Sequence, residues 1–264
     1  MWSGARSRAV QWYGAERATA LVCDFPMPEG AENPAPIEQR GWCITEKRLS
    51  SMRKAGSCCL TLSQLPQDVR RDGPGGAWWN VVKACQVNRL APLTPDEFEK
   101  LMIDGMASGA IKFTVRLLPS EPPTPWAGAE PHRSMDRVSR AQNGKDATSI
   151  CIPQYREAFF RLMSSGGMLA FSRCCWKDAE VKQLVAALQC AHAEGATSQA
   201  DVLFLRNNQL TDAALPILVE MLEAGVLPCL EKLWLDFNSG LRDVAAKEAL
   251  KAACDERGVT VGFD

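Results

Sequence analysis

Histidine is almost missing from this chain, with only His132 and His192 in 264 residues. A Ser–His or Cys–His nucleophile system needs one of them, and neither has serine, cysteine and acid neighbours in a suggestive pattern. Long apolar runs are also lacking, none approaching the ~20 residues that span a bilayer, so no membrane association is expected. There is no excess of positive charge: 30 Lys and Arg stand against 31 Asp and Glu, interleaved, for a net charge of −1. Without a basic block to neutralise a run of phosphates, nucleic acid is not an expected partner. Gly73-Pro74-Gly75-Gly76 runs into Trp78-Trp79 rather than Lys-Ser/Thr, and so reads as a turn and not a phosphate loop. Cys58-Cys59 and Cys174-Cys175 come with no C-x-x-C or histidine spacing. Neighbours in a strand point to opposite faces, so these pairs read as packing residues, and neither metal nor cofactor is expected.

What is present is the composition of a folded protein, 46% hydrophobic and 23% charged. A mass of 28.9 kDa allows two modest domains, each with a core. Eleven cysteines are an odd number, and several sit in apolar segments. The opening stretch MWSGARSRAVQWYGAER has no continuous apolar run of the kind that directs export. Free thiols in a reducing, cytoplasmic setting are therefore expected.

The C-terminal part repeats itself. LEKLWLDFNSGL starts at Leu230 and ADVLFLRNNQLTD at Ala200, and a degraded copy, MLAFSRCCWKD, starts at Met168. Superposing Phe171, Leu205 and Leu235 gives steps of 34 and 30 residues. Leucines two apart, such as Leu233 and Leu235, leave a short strand on one face and point to a core. A turn residue follows in each copy: Cys174, Asn208 and Asn238. A helix is expected after each turn. Val181, Leu184, Val185 and Leu188 form one apolar stripe, and Leu215, Leu218, Val219 and Leu222 the next. Asp178 and Asp212 stand where a carboxylate can cap a helix start, and Gly225 and Gly258 where a glycine can end one.

Residues 166–264 resemble leucine-rich repeats of the ribonuclease-inhibitor type. That resemblance implies a short α/β solenoid whose non-leucine strand positions face outward on a concave side. Those positions are Phe204, Arg206, Lys232, Trp234 and Asp236, with Ala170 and Ser172 on the first strand. Aromatic and charged residues together have the composition of a protein-recognition surface, so the implied partner is another protein. The first copy has no preceding repeat and is expected to pack against the N-terminal part.

That N-terminal part reads differently. Ala18–Phe25 and Ser57–Leu62 are apolar runs, expected as strands buried on both faces. A helix from about Gly41 to Lys54, stopped by Gly56, lies between them. Strand, helix, strand indicates a parallel crossover. Thr94-Pro95-Asp96-Glu97 opens another helix with a capping box. That helix stops at Gly109, and a strand over Ala110–Leu118 follows. Arg40-Gly41-Trp42-Cys43-Ile44-Thr45-Glu46 resembles the Trp-Cys-x-x-Glu segment of Toll/interleukin-receptor-type domains. In the NAD-cleaving members of that family the matching glutamate is catalytic, which implies such a role for Glu46, with NAD as substrate, or a degenerate site. On a helix, Trp42, Glu46, Leu49 and Met52 share one face. The structural reading weighs more: a carboxylate that accepts backbone amides or pairs with Arg40.

The expected architecture is thus α/β throughout. An N-terminal domain with a partly parallel sheet covers 1–118, and a Pro- and Ser-containing loop or linker covers 119–152. The repeat domain, with a preceding helix, covers 153–264. Protein–protein interaction is the function this organisation predicts.

Overall fold

A computed structural model describes residues 19–26, 35–54, 56–65, 76–85, 89–113 and 145–263. The fold is mixed α/β and holds two parallel sheets.

In the first sheet, β1 (Ala20–Val22) pairs in parallel with β2 (Cys59–Thr61), Ala20 lying opposite Cys59. Helix α1 (Gly41–Ser50) connects them, as the crossover pattern requires. Three expectations change here. β1 is not buried on both faces, because Leu21 is 53% exposed. α1 ends at Ser50, not near Lys54, and the turn that follows carries the buried residues Met52 and Arg53 inward. The buried stripe of α1 is Gly41, Thr45 and Leu49 rather than one through Trp42 and Glu46. Gly41 lies so close to the Phe113 ring that a Cβ there would fall 2.1 Å from it, which fixes this side of the helix against Phe113.

α2 (Gly76–Cys85) packs beside β2. α3 (Pro95–Ala107) starts with the full capping box: the Thr94 hydroxyl accepts from Glu97 N, and Glu97 accepts from Thr94 N at 2.8 Å. Of the strand expected over Ala110–Leu118, the described part is one parallel bridge between Arg40 and Lys112, and residues beyond Phe113 lie outside the described set. Of the segment 119–152, residues 145–152 are described. They are already helical, a π turn at Ala147–Cys151 leading into α4 (Ile152–Met163). Tyr155 in α4 stacks on Phe98 with ring centroids 3.9 Å apart, and its hydroxyl donates to Leu93 O at 2.9 Å.

The second sheet has four parallel strands in chain order: β3 (Gly167–Ala170), β4 (Ala200–Phe204), β5 (Lys232–Trp234) and β6 (Thr260–Gly262). Between them run α5 (Asp178–Ala193), α6 (Ala214–Glu223) and α7 (Val244–Glu256). Leu169 pairs with Leu203, Leu203 with Leu233 and Leu233 with Val261. The hydrogen-bonded register therefore matches the register read from the sequence. Every leucine of that ladder is buried, and the stripes of α5 and α6 cover them. Gly225 and Gly258 end α6 and α7 at φ of 66° and 68°.

Asp178 and Asp212 do not cap their own helices. Asp178 accepts from Thr211 N at 2.8 Å and from the Thr211 hydroxyl at 2.6 Å. Asp212 accepts from Arg242 N at 2.7 Å and Asp243 N at 2.9 Å. Each carboxylate ties one strand–helix unit to the next.

One core runs from Leu49 and Phe98 through α4 to the last unit at Leu250 and Val259. The free edge of β3 is covered from the N-terminal side by two buried arginines. Arg53 donates to the carbonyls of Gly166 at 2.9 Å and Met168 at 3.0 Å, and also to those of Leu162 and Ser165. Arg89 donates to Ala170 O at 3.0 Å and Ser51 O at 2.6 Å, and its guanidinium lies 4.8 Å from the centroid of the Phe171 ring. Met168 O and Ala170 O are edge carbonyls of a parallel strand, and the side chains supply donors where a neighbouring strand would.

Candidate functional site

Two places gather functional side chains: the outward face of the four-stranded sheet and a cavity beside α1.

On the sheet, strand alternation sends Leu203, Leu205, Leu233 and Leu235 inward and leaves Val202, Phe204, Arg206, Lys232 and Trp234 on the other face. Met168 at one side is 49% exposed. Ala170 and Ser172 of the first unit are half-buried, and Lys232 is exposed. Trp234 is half-buried because its ring lies down over β6, where a Cβ on Gly262 would come within 2.4 Å of it. A side chain there would lift the indole, so this glycine sets the pose of the tryptophan. Arg206 is held on three sides. Its Nε is 2.9 Å from Asp236 Oδ2, and its guanidinium lies 5.8 Å from the Trp234 centroid and 5.7 Å from that of Phe237. Asp236 is only 6% exposed, so it fixes Arg206 more than it presents its own charge.

Behind this face runs the asparagine ladder. Asn208 Nδ2 donates to Phe171 O at 2.8 Å and Leu205 O at 2.9 Å, while its Oδ1 accepts from Cys174 N and Trp176 N. Asn238 repeats the pattern one unit on, donating to Leu205 O and Leu235 O and accepting from Asn208 N and Leu210 N. Cys174 occupies the matching position of the first unit, buried, and burial pushes its thiol up to about 11. Just before each of these residues the backbone turns left-handed: Arg173 at φ 57°, Asn207 at 53° and Phe237 at 58°. Asparagine adopts that conformation readily. For phenylalanine it costs roughly 1–2 kcal/mol, and here it leaves the ring 63% exposed.

The second place is a cavity of about 250 Å³ between β1, α1 and β2, lined by Cys43, Glu46, Lys47, Cys59, Thr61 and Arg89 among others. Glu46 is half-buried in its wall, and Lys47 lines the same wall. Glu46 and Arg40 form no ion pair; the Arg40 Nε donates to Ala35 O at 2.8 Å. Burial raises the Cys43 and Cys59 thiols, which keeps both neutral and poorly nucleophilic. An open groove of about 790 Å³ between α1 and α3 adjoins this cavity, sharing Glu38, Ile44, Lys47 and Leu90. No group of three or more metal-ligating side chains exists among the described residues, and no helix among them is long and apolar enough to cross a membrane. All eleven cysteines are free thiols. His192 bonds Thr197 at 2.9 Å on the surface, away from both places, and His132 lies outside the described residues.

Sequence reasoning placed the outward strand positions and the turn residues, except that Asp236, expected on the outward surface, is buried beneath Arg206. It missed Phe237, Gly262, Arg53 and Arg89. An exposed aromatic directly before the ladder asparagine was a usable signal for Phe237. The two arginines carry none, since they belong to segments outside the repeat. No protein-family model, curated protein or solved structure matches the chain.

Proposed function

We propose that this protein is an interaction module that binds a protein partner on the outward face of a short leucine-rich-repeat array. The observation that carries the reading is the Arg206 cluster, an arginine clamped by Trp234, Phe237 and Asp236 on a half-exposed sheet face. A guanidinium already oriented by two rings and a carboxylate loses little side-chain freedom on binding. Aromatic and arginine side chains are also the types that dominate interface energetics. The strained φ of Phe237 supports the same reading, since a backbone cost retained to expose an aromatic ring serves a surface more readily than a core.

Affinity capture with the wild-type chain, Trp234→Ala, Phe237→Asn and a control on α7, Lys251→Ala, tests it. A partner kept by wild type and control and lost by both face variants fits the proposal. Equal capture by all four removes it.

A second reading, an NAD- or nucleotide-processing enzyme resembling Toll/interleukin-receptor-type domains, is favoured by one observation: Glu46 lines the cavity beside α1. The chamber is smaller than the ~300–1,000 Å³ usual for sites of drug-sized ligands, and a dinucleotide would have to extend into the adjoining groove. NAD turnover by wild type and Glu46→Ala separates the readings: equal, negligible rates leave a degenerate, non-catalytic site.

A further inference from the structure

The outward face of the four-stranded sheet carries an excess of positive charge arranged around its aromatic row. Lys232 stands in β5, two residues before Trp234, and Arg206 follows β4, two residues after Phe204. Phe204 and Trp234 lie side by side in the register, so the two cations flank the rings from opposite ends. Four residues of strand separate the rows of the cations, roughly 13 Å. Among the described outward positions of the four strands the single carboxylate is the buried Asp236. Its Oδ2 lies 2.9 Å from Arg206 Nε, and neither Nη atom of Arg206 makes a hydrogen bond among the described residues. The arginine side chain is 39% exposed. Lys232 is exposed and forms no ion pair among the described residues. One carboxylate for two cations leaves this face positive, and the terminal edge of a guanidinium matches a second carboxylate.

We infer that this face takes an acidic, extended segment of the partner protein, with two carboxylates four residues apart and an apolar side chain midway. The proposal rests on the sheet-face reading above and specifies what binds there. In an extended segment residues i, i+2 and i+4 leave on the same side, so all three side chains reach the sheet together. One carboxylate meets Arg206, the other meets Lys232, and the apolar side chain lies on Phe204 and Trp234. Half-exposed charge pairs select and orient a partner, and contact with the two rings supplies the apolar area.

The probes are capped, dye-labelled heptapeptides read by fluorescence anisotropy with the full chain, and thermal melts establish that each variant folds. GEALAEG carries the pattern, GQALAQG lacks the charge, and GEEALAG has the same composition with its acids on opposite sides. Single-stranded oligothymidylate represents the competing class of polyanion. The expected result is that GEALAEG binds about tenfold tighter than either control peptide at low salt. That advantage should shrink as salt is raised. Arg206 also covers Asp236, so the informative variant is Lys232→Glu at an exposed position. It should erase the advantage of GEALAEG and transfer it to GKALAEG or GEALAKG, whichever sets its lysine beside position 232. The inference is overturned if GEALAEG does not bind at millimolar concentration, or if GEEALAG binds as tightly. It is equally overturned if Lys232→Glu leaves the preference intact, or if oligothymidylate binds more tightly than GEALAEG. In affinity capture, a partner lost by Trp234→Ala but kept by Lys232→Glu overturns the acidic segment and leaves the sheet face standing. Equal capture by all variants removes the face itself.

Discussion

Asn238 shows how much of this fold rests on single polar side chains. Its amide satisfies two carbonyls, Leu205 O and Leu235 O, and two amides, Asn208 N and Leu210 N, all in an interior from which water is excluded. Each buried group left without a partner costs about 1–3 kcal/mol. Asn238→Ala should therefore lower unfolding free energy by at least about 3 kcal/mol in urea titration. Asn207→Gly, an exposed position already at positive φ, should be neutral or slightly stabilising. A loss for Asn238→Ala no larger than the ~0.5 kcal/mol typical of surface substitutions would contradict the ladder. The asparagines were legible in the sequence because each stands at a fixed offset from the paired leucines. Asp178 and Asp212 were misread because a carboxylate beside a helix start has two sets of amides in reach. Only the stacked neighbour decides which it takes.

At the scale of elements, the decisive feature is how the four-stranded sheet ends. A parallel strand with a free edge is a template for association with another chain. Here the edge of β3 meets Arg53 and Arg89 instead. Arg53 serves four carbonyls from one planar fork, which a lysine ammonium cannot imitate. Arg53→Lys is expected to cost about 1–3 kcal/mol and to raise self-association, read by urea midpoint and light scattering. Arg53→Lys with unchanged midpoint and scattering would show that these bonds do not protect the edge. α3 and the repeat strands were readable beforehand because a capping box and a two-residue alternation are local signals. The strand expected at Ala110–Leu118 was not, since its described part makes a single bridge opposite Arg40, through Gln39 O and Gly41 N. An apolar run states that a segment is buried, not what lies beside it.

For the whole molecule, burial of neutral acids makes stability depend on alkaline pH. Cys151, Cys174 and Cys254 rise from the ordinary 9.0 to about 11 through desolvation, and burial raises Tyr155 as well. Above pH 9 the unfolded chain loses thiol protons that the folded chain keeps. Unfolding free energy should therefore fall as pH rises from 9 toward 11 and level off for these thiols above that. Chemical denaturation at stepped pH measures it. A midpoint constant across that window would mean that these thiols are not buried as described.

By itself the sequence determined the repeat period, the leucine register, the turn residues and the helix stripes, because these follow from spacing along one chain and the geometry of a strand or helix. It also determined that Phe204, Arg206 and Trp234 share a face. Tertiary structure alone decided that Arg206 is clamped by Phe237 and Asp236, that Arg53 and Arg89 close the sheet, and that Glu46 and Arg89 line one cavity. The reason is physical: those contacts join residues tens of positions apart. Their energies depend on burial and distance, neither of which is a property of any local stretch of sequence.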